Sequence, residues 1–214
     1  MREKEVKANS AAETIGALYL GEHACRFRVW APSQVPVGVR LLRTGRLIPM
    51  EKTGGGYHDA VAQDVAPGDL YLFHLAQDEE YPDPAARFQP QGVHGPSAVV
   101  DGRFSWDDEA WRGIALEDYL IYELHVGCFT PAGTFEAIVA RLDDLIEVGV
   151  TAVELMPVAQ FPGARNWGYD EVYPFAVQNS YSGPESLKKL VGACHRRGLA
   201  IILDMVYNHL GPEG

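Results

Sequence analysis

A chain of 214 residues with 47% hydrophobic side chains can build one large core or two small ones. Its formal net charge of −11 argues against a nucleic-acid partner, which would need a basic surface. No apolar run is long enough to span a bilayer, and the charged start Met1-Arg2-Glu3-Lys4-Glu5-Val6-Lys7 is not followed by the apolar stretch of a signal peptide, so neither membrane nor secretion is expected. Cys25, Cys128 and Cys194 are odd in number, far apart and outside any CxxC or Cys/His spacing. Reduced thiols in a cytoplasm, no metal and no cofactor are the expectation.

Residues 1 to about 13 are polar and read as loose. From Gly16 to about Leu75 the pattern is β. Cys25, Phe27 and Val29 alternate with Arg26, Arg28 and Trp30, so one face of that strand should be buried, and Ala31-Pro32 closes it. Residues 37–42 make a second strand. Gly54-Gly55-Gly56 is a flexible turn before a third at 57–61, and Pro67-Gly68-Asp69 turns the chain into a fourth at 70–75. Short strands between turn signals predict a small β-sandwich over residues 1–77. Over residues 78–118, Pro82, Pro84, Pro90 and Pro96 lie among Gly92, Gly95 and Gly102, which reads as an extended connector. Phe88, Val93, Val99, Phe104 and Trp106 are too many apolar anchors for a free linker, so the connector is expected to pack across a domain junction.

Over residues 119–214 the pattern is β-α-β-α-β. The first strand is 120–126. Thr134 can cap a helix whose Phe135, Ile138, Leu142 and Leu145 fall at helical spacing, with Gly149 as its stop. The second strand, 150–156, is closed by Pro157, and a long loop runs to Gly183. Pro184 suits the first turn of the next helix; Leu187, Leu190, Val191 and Cys194 make its buried stripe and Gly198 its end. The third strand, 199–204, should be buried and delivers Asp204 at its tip. Alternating strands and helices predict parallel pairing with right-handed crossovers, and such folds place their chemistry at the C-terminal ends of the strands. The layout reads as the front part of a catalytic domain.

Four groups of residues stand out. Asn166-Trp167-Gly168-Tyr169-Asp170 lies in the long loop; Asp204, Asn208 and His209 follow the third strand; Phe129-Thr130 opens the loop after the first; Glu123 and His125 lie on the first strand itself. Aromatic faces with Asp, Asn and His suit a sugar, which offers C–H faces to stack and hydroxyls to bond. Each has a plainer reading. Asp204 can cap a helix or bind loop amides. Trp167 can be a hydrophobic plug. Glu123 and His125 are best read as pairing with neighbours in the floor of the sheet. His23, His58, His74, His94 and His195 have no motif around them, and His195-Arg196-Arg197 suits the cationic last turn of a helix.

Taken together, Tyr122-Glu123-Leu124-His125-Val126-Gly127, Glu154-Leu155-Met156-Pro157-Val158, Asn166-Trp167-Gly168-Tyr169-Asp170 and Asp204-Met205-Val206-Tyr207-Asn208-His209 resemble the α-amylase superfamily of glycoside hydrolases. Asp-x-Val-x-Asn-His is similar to that superfamily's first signature segment, at the end of barrel strand three. The likeness narrows to the malto-oligosyltrehalose trehalohydrolase family through Pro82-Asp83-Pro84-Ala85-Ala86-Arg87-Phe88-Gln89-Pro90, Gly92-Val93-His94-Gly95-Pro96-Ser97, Pro157-Val158-Ala159-Gln160-Phe161-Pro162-Gly163 and Asn208-His209-Leu210-Gly211-Pro212-Glu213-Gly214. Arg26-Phe27-Arg28-Val29-Trp30-Ala31-Pro32 is similar to the first strand of the sandwich that precedes the barrel in that family.

The resemblance implies a multidomain β plus α/β protein: an N-terminal immunoglobulin-like β-sandwich, then the first three βα steps of a truncated (β/α)8 TIM barrel. It implies hydrolysis of the α-1,4 bond next to the terminal trehalose unit of maltooligosyl trehalose. The family's nucleophile follows strand four, its acid/base glutamate strand five and a further aspartate strand seven; a retaining pair sits about 5 Å apart. No catalytic residue is therefore assigned within the 214 residues, and the chain alone is expected to be inactive. Substrate contact is carried over to Tyr169, which would stack under the sugar, to its neighbour Asp170, to His209, which would hydrogen-bond the sugar, and to Asn208. Asp204 and Trp167 would support the site. Two departures are Cys128, where Thr is common, and Glu171, where Gly is common. The partners implied are maltooligosyl trehalose or a related α-glucan, and a second copy of the chain through exposed barrel edges, with Val153, Leu155, Ile201 and Leu203 partly exposed. Rival readings are a branching or debranching enzyme, and a glycan-binding remnant without catalysis.

Overall fold

A computed structural model of the protein describes residues 14–213; the loose segment expected over 1–13 lies outside them. The chain divides into two compact units. One holds the described residues up to Arg87 together with Pro96–Gly102, the other Phe88–Gly95 together with the residues from Arg103 onward.

The first unit carries β1 (Gly16–Gly21), β2 (Ala24–Trp30), β3 (Gly38–Leu41), β4 (Arg46–Pro49), β5 (Glu51–Lys52), β6 (Tyr57–Gln63), β7 (Leu70–His74), β8 (Glu80–Tyr81) and β9 (Ser97–Ala98). They form two antiparallel sheets, ordered β1-β2-β6-β5 and β4-β3-β7-β8, with β9 also on β7. The alternation expected on β2 is present: Cys25, Phe27 and Val29 are buried. They share one apolar cluster with Val39 and Leu41 of β3 and Tyr71 and Phe73 of β7. Phe27 and Tyr71 meet edge-on, with centroids 4.9 Å apart. Each such fully buried side chain contributes about 1.5–3 kcal/mol.

The stretch read as an extended connector supplies β8 and β9 to this unit, and between them a buried carboxylate. Asp83 accepts the Tyr71 hydroxyl at 2.6 Å and the Ala85 amide at 2.8 Å, while its own amide donates to Ser97 Oγ at 2.9 Å. Prolines on either side hide this role, because they read as punctuation.

The second unit carries β10 (Ile121–Leu124), α1 (Val126–Phe129), α2 (Phe135–Val139), α3 (Leu142–Glu147), β11 (Ala152–Leu155), β12 (Ala159–Gln160), β13 (Tyr173–Val177), α4 (Gly183–His195) and β14 (Ala200–Leu203). β10, β11 and β14 form a parallel sheet in that order, with Glu123 opposite Glu154 and Glu154 opposite Ile202. Thr134 caps α2 by accepting the Ala137 amide at 3.4 Å. The single helix expected there is two. Arg141 leaves the helical region at φ −112°, ψ 0°, and its amide tightens onto Ile138 O at 2.8 Å. The tight turn keeps Phe135, Ile138, Leu142 and Leu145 on one buried face. On α4 the buried stripe runs through Leu190, Ala193 and Cys194, with Val191 only half-buried.

The long loop is not structureless. β12 and β13 pair antiparallel within it, and Gln160 and Gln178, both fully buried, satisfy the main chain around the pair. Gln178 Oε1 accepts the Phe161 amide at 3.0 Å and its Nε2 donates to Gly163 O at 2.9 Å. The exposure expected of Val153 and Leu155 is wrong: both are 0% exposed, because β11 is the middle strand and the α2, α3 and α4 side chains close over it. Leu203, on outer strand β14, is 40% exposed, and Ile201 is half-buried, so the third strand is less covered than its apolar run suggests.

Candidate functional site

Two loops leave the C-terminal ends of β11 and β14. The first begins at Pro157 and doubles back at Gly168. That glycine has φ +104°, and a Cβ there would lie 2.3 Å from Pro157 O, so a larger residue is excluded. Asn166 locks the turn: its Oδ1 accepts the Gly168 amide at 2.8 Å and its Nδ2 donates to Asp170 Oδ2 at 2.7 Å. The second loop begins at Asp204, whose amide donates to Leu155 O at 3.0 Å and so extends the parallel ladder.

These loops bring Tyr169, Asp204 and His209 together. The Tyr169 hydroxyl donates to Asp204 Oδ2 at 2.8 Å. That bond, with burial and the nearby charges of Asp204, Glu123 and Glu154, pushes the phenol above its ordinary value. His209 Nε2 lies 2.7 Å from Tyr169 O. A carbonyl only accepts, so Nε2 carries the proton and Nδ1 remains for another partner. Asp170 turns back to Asn166. Asn208, His209 and Trp167 are exposed, Trp167 at 73%, so it does not plug its loop. Beside them, Pro174, Phe175 and residues 205–210 line a groove of about 480 Å³ with an apolar wall and the amide and imidazole of Asn208 and His209.

The floor pairing read for Glu123 and His125 is replaced by another arrangement. Glu123 is exposed in register with Glu154. His125 stands where β10 ends, and its Nε2 lies 2.6 Å from Asn166 O and 3.1 Å from Tyr181 Oη. It thus props the loop that carries Tyr169. The strand expected over 120–126 hides this role, because β10 stops one residue before His125. In the sequence Glu171 stands out only as a departure from a family pattern. It is fully buried next to Asp170, and burial pushes its carboxyl up to about 7. Among the described residues no group of three or more His, Cys, Asp or Glu gathers as a metal site.

The family described as alpha amylase, catalytic domain, matches residues 81–214. A malto-oligosyltrehalose trehalohydrolase of Saccharolobus solfataricus is 50% identical over 195 residues, 91% of this chain and 35% of that protein. One from Deinococcus radiodurans is 47% identical over 195 residues, 91% of this chain and 32% of that protein. A crystal structure from Salmonella typhimurium, assigned as an α-amylase, superposes with a TM-score of 0.89 at 44% identity, covering 94% of this chain and 34% of that one. The chain spans about a third of the length of the curated relatives it matches.

Proposed function

This chain belongs to the α-amylase family, and on that premise we propose that the activity it serves is hydrolysis of the α-1,4 bond next to the terminal trehalose unit of maltooligosyl trehalose. The observation that carries the reading is the junction of Tyr169, Asp204 and His209 at the C-terminal ends of parallel strands, where such folds gather their chemistry. The relatives' activity, as named, supports the choice of substrate. In this reading the first unit is an immunoglobulin-like sandwich whose body is the described part of residues 1–77, and 78–118 is the connector that follows it. β10, β11 and β14 are the first three strands of a (β/α)8 barrel over 119–214.

Tyr169 stacks on the sugar at the cleavage point, and Asp204 fixes its ring through the hydroxyl. With Nε2 committed to Tyr169 O, His209 offers Nδ1 to a sugar hydroxyl, accepting when neutral and donating when protonated. Asp170 and Asn208 complete the contact, and Trp167 flanks it. Neither member of the carboxylate pair is assigned to a residue of this chain.

The test is release of trehalose from maltooligosyl trehalose, followed by chromatography. The 214-residue chain alone should release none; turnover abolished by Asp204→Ala would overturn that assignment. In a chain carrying the carboxylate pair, His209→Ala should lower kcat with little change in KM, because the contact strengthens as charge develops. The loss is about 2–4 kcal/mol, roughly a hundredfold or more in rate. Tyr169→Ala should lower kcat and weaken binding together. Near-normal kcat in both variants would reduce these residues to loop structure.

A further inference from the structure

Segments 169–171 and 209–211 dock through two bonds, His209 Nε2 to Tyr169 O at 2.7 Å and the Gly211 amide to Glu171 O at 2.6 Å. The contact is close. A Cβ on Gly211 would lie 2.2 Å from Asp170 O. At this dock the Glu171 side chain is 0% exposed, and neither carboxyl oxygen has a hydrogen-bond partner among the described residues. Two ionisable groups face it. The His209 imidazole favours its ionisation and the Asp204 carboxylate opposes it. A buried carboxyl without donors is tolerated as the neutral acid and resisted as the anion.

We propose that Glu171 is a positioning residue that couples its own proton to the docking of the two loops. Protonated, it lets residues 208–213 sit on 166–171 and holds His209 against Tyr169. Ionised, it draws water to itself and parts them. The consequence for sugar binding rests on the reading of these loops as sugar-facing; the latch itself does not.

The sign follows from the carboxyl's two environments. Docked, burial pushes it up to about 7; released, it returns toward 4.5. Release is therefore favoured progressively as pH rises from about 4.5 to 7, and levels off above 7, where both forms are ionised. The full effect is on the order of a hundredfold in the docking equilibrium.

Hydrogen exchange of the Gly211 amide in the 214-residue chain reads this directly. Rates are corrected for intrinsic pH dependence and referred to the Met156 amide, which donates to Leu124 O in the sheet. Protection at Gly211 should fall on the order of a hundredfold between pH 4.5 and 7 and then stay level. In Glu171→Gln, which keeps the shape and cannot ionise, it should be flat. A flat wild-type profile overturns the proposal without reference to any variant, and so does an equal slope in Glu171→Gln. Maltotetraose affinity over the same range separates the two readings: a pH-dependent latch with no maltotetraose binding supports the latch and counts against the glucan site.

Discussion

Tyr169→Phe keeps the ring of the proposed sugar platform and deletes one oxygen, the donor that meets Asp204 Oδ2 at 2.8 Å. A hydrogen bond onto a charged group contributes about 1.5–3 kcal/mol. Both residues are half-buried, so solvent competes and the low end applies, about 1.5 kcal/mol. Asp204→Asn keeps the volume and removes the charge. Urea unfolding of the wild type, the two single variants and the double variant should give a coupling of about 1 kcal/mol. Alkaline titration of the phenol supplies a second readout. Because the bond to Asp204 raises the Tyr169 value above its usual 10, the stability it contributes is complete below pH 10 and lost as pH rises through the folded value. Asp204→Asn should bring that ionisation back toward 10, with Tyr169→Phe identifying which ultraviolet signal belongs to it. Single effects that add within about 0.3 kcal/mol, with a phenol unmoved by Asp204→Asn, would show that this bond does not hold the ring.

Other outcomes follow from packing. Gly211→Ala drives a Cβ into Asp170 O, which is main chain and cannot swing aside; it should cost about 1–3 kcal/mol and be visible as faster exchange of the residue 211 amide. Burial pushes the Cys25 and Cys194 thiols up to about 12, whereas Cys128 is exposed. A thiol reagent at pH 8 should therefore label Cys128 in the native chain and the other two only at the rate of unfolding; equal labelling of all three would refute the buried assignments. β10 and β14 are the outer strands of their sheet and expose Ile121 and Leu203. Sedimentation of the 214-residue chain should show association that rises with concentration, and a monomer throughout would count against it.

Where one face of an element is buried, the sequence is a good guide. The alternation around Cys25, Phe27 and Val29, and the helical spacing from Phe135 to Leu145, each named their buried side chains because burial imposes the period. Legibility fails where polar groups do the packing. Gln160 and Gln178 lie in the interior because their amides satisfy the main chain of Phe161, Gly163 and Asn179 beside a two-residue strand, and no hydrophobic period marks so short an element. Asp83 was hidden between prolines for the same reason. At the candidate site, the residues picked out by motif lie on two loops that do meet, and Tyr169 bonds to both Asp204 and His209. The props behind them were not legible. His125 acts through a carbonyl 41 positions away, and Glu171 through the burial of a charged residue type that no apolar period marks.

The two bonds that seat residues 209–211 on residues 169–171 end on carbonyl oxygens, those of Tyr169 and Glu171. A carbonyl is supplied by every residue type, so the accepting atoms themselves do not depend on which side chains the receiving segment carries. His209 does both with one side chain, whereas on the first loop the ring that would touch a sugar and the carbonyl that sets its spacing are different parts of one residue. One can be revised under selection for a new ligand while the other keeps its gauge. The exceptions are Gly168 and Gly211, where the gauge is the missing side chain itself and no revision is open.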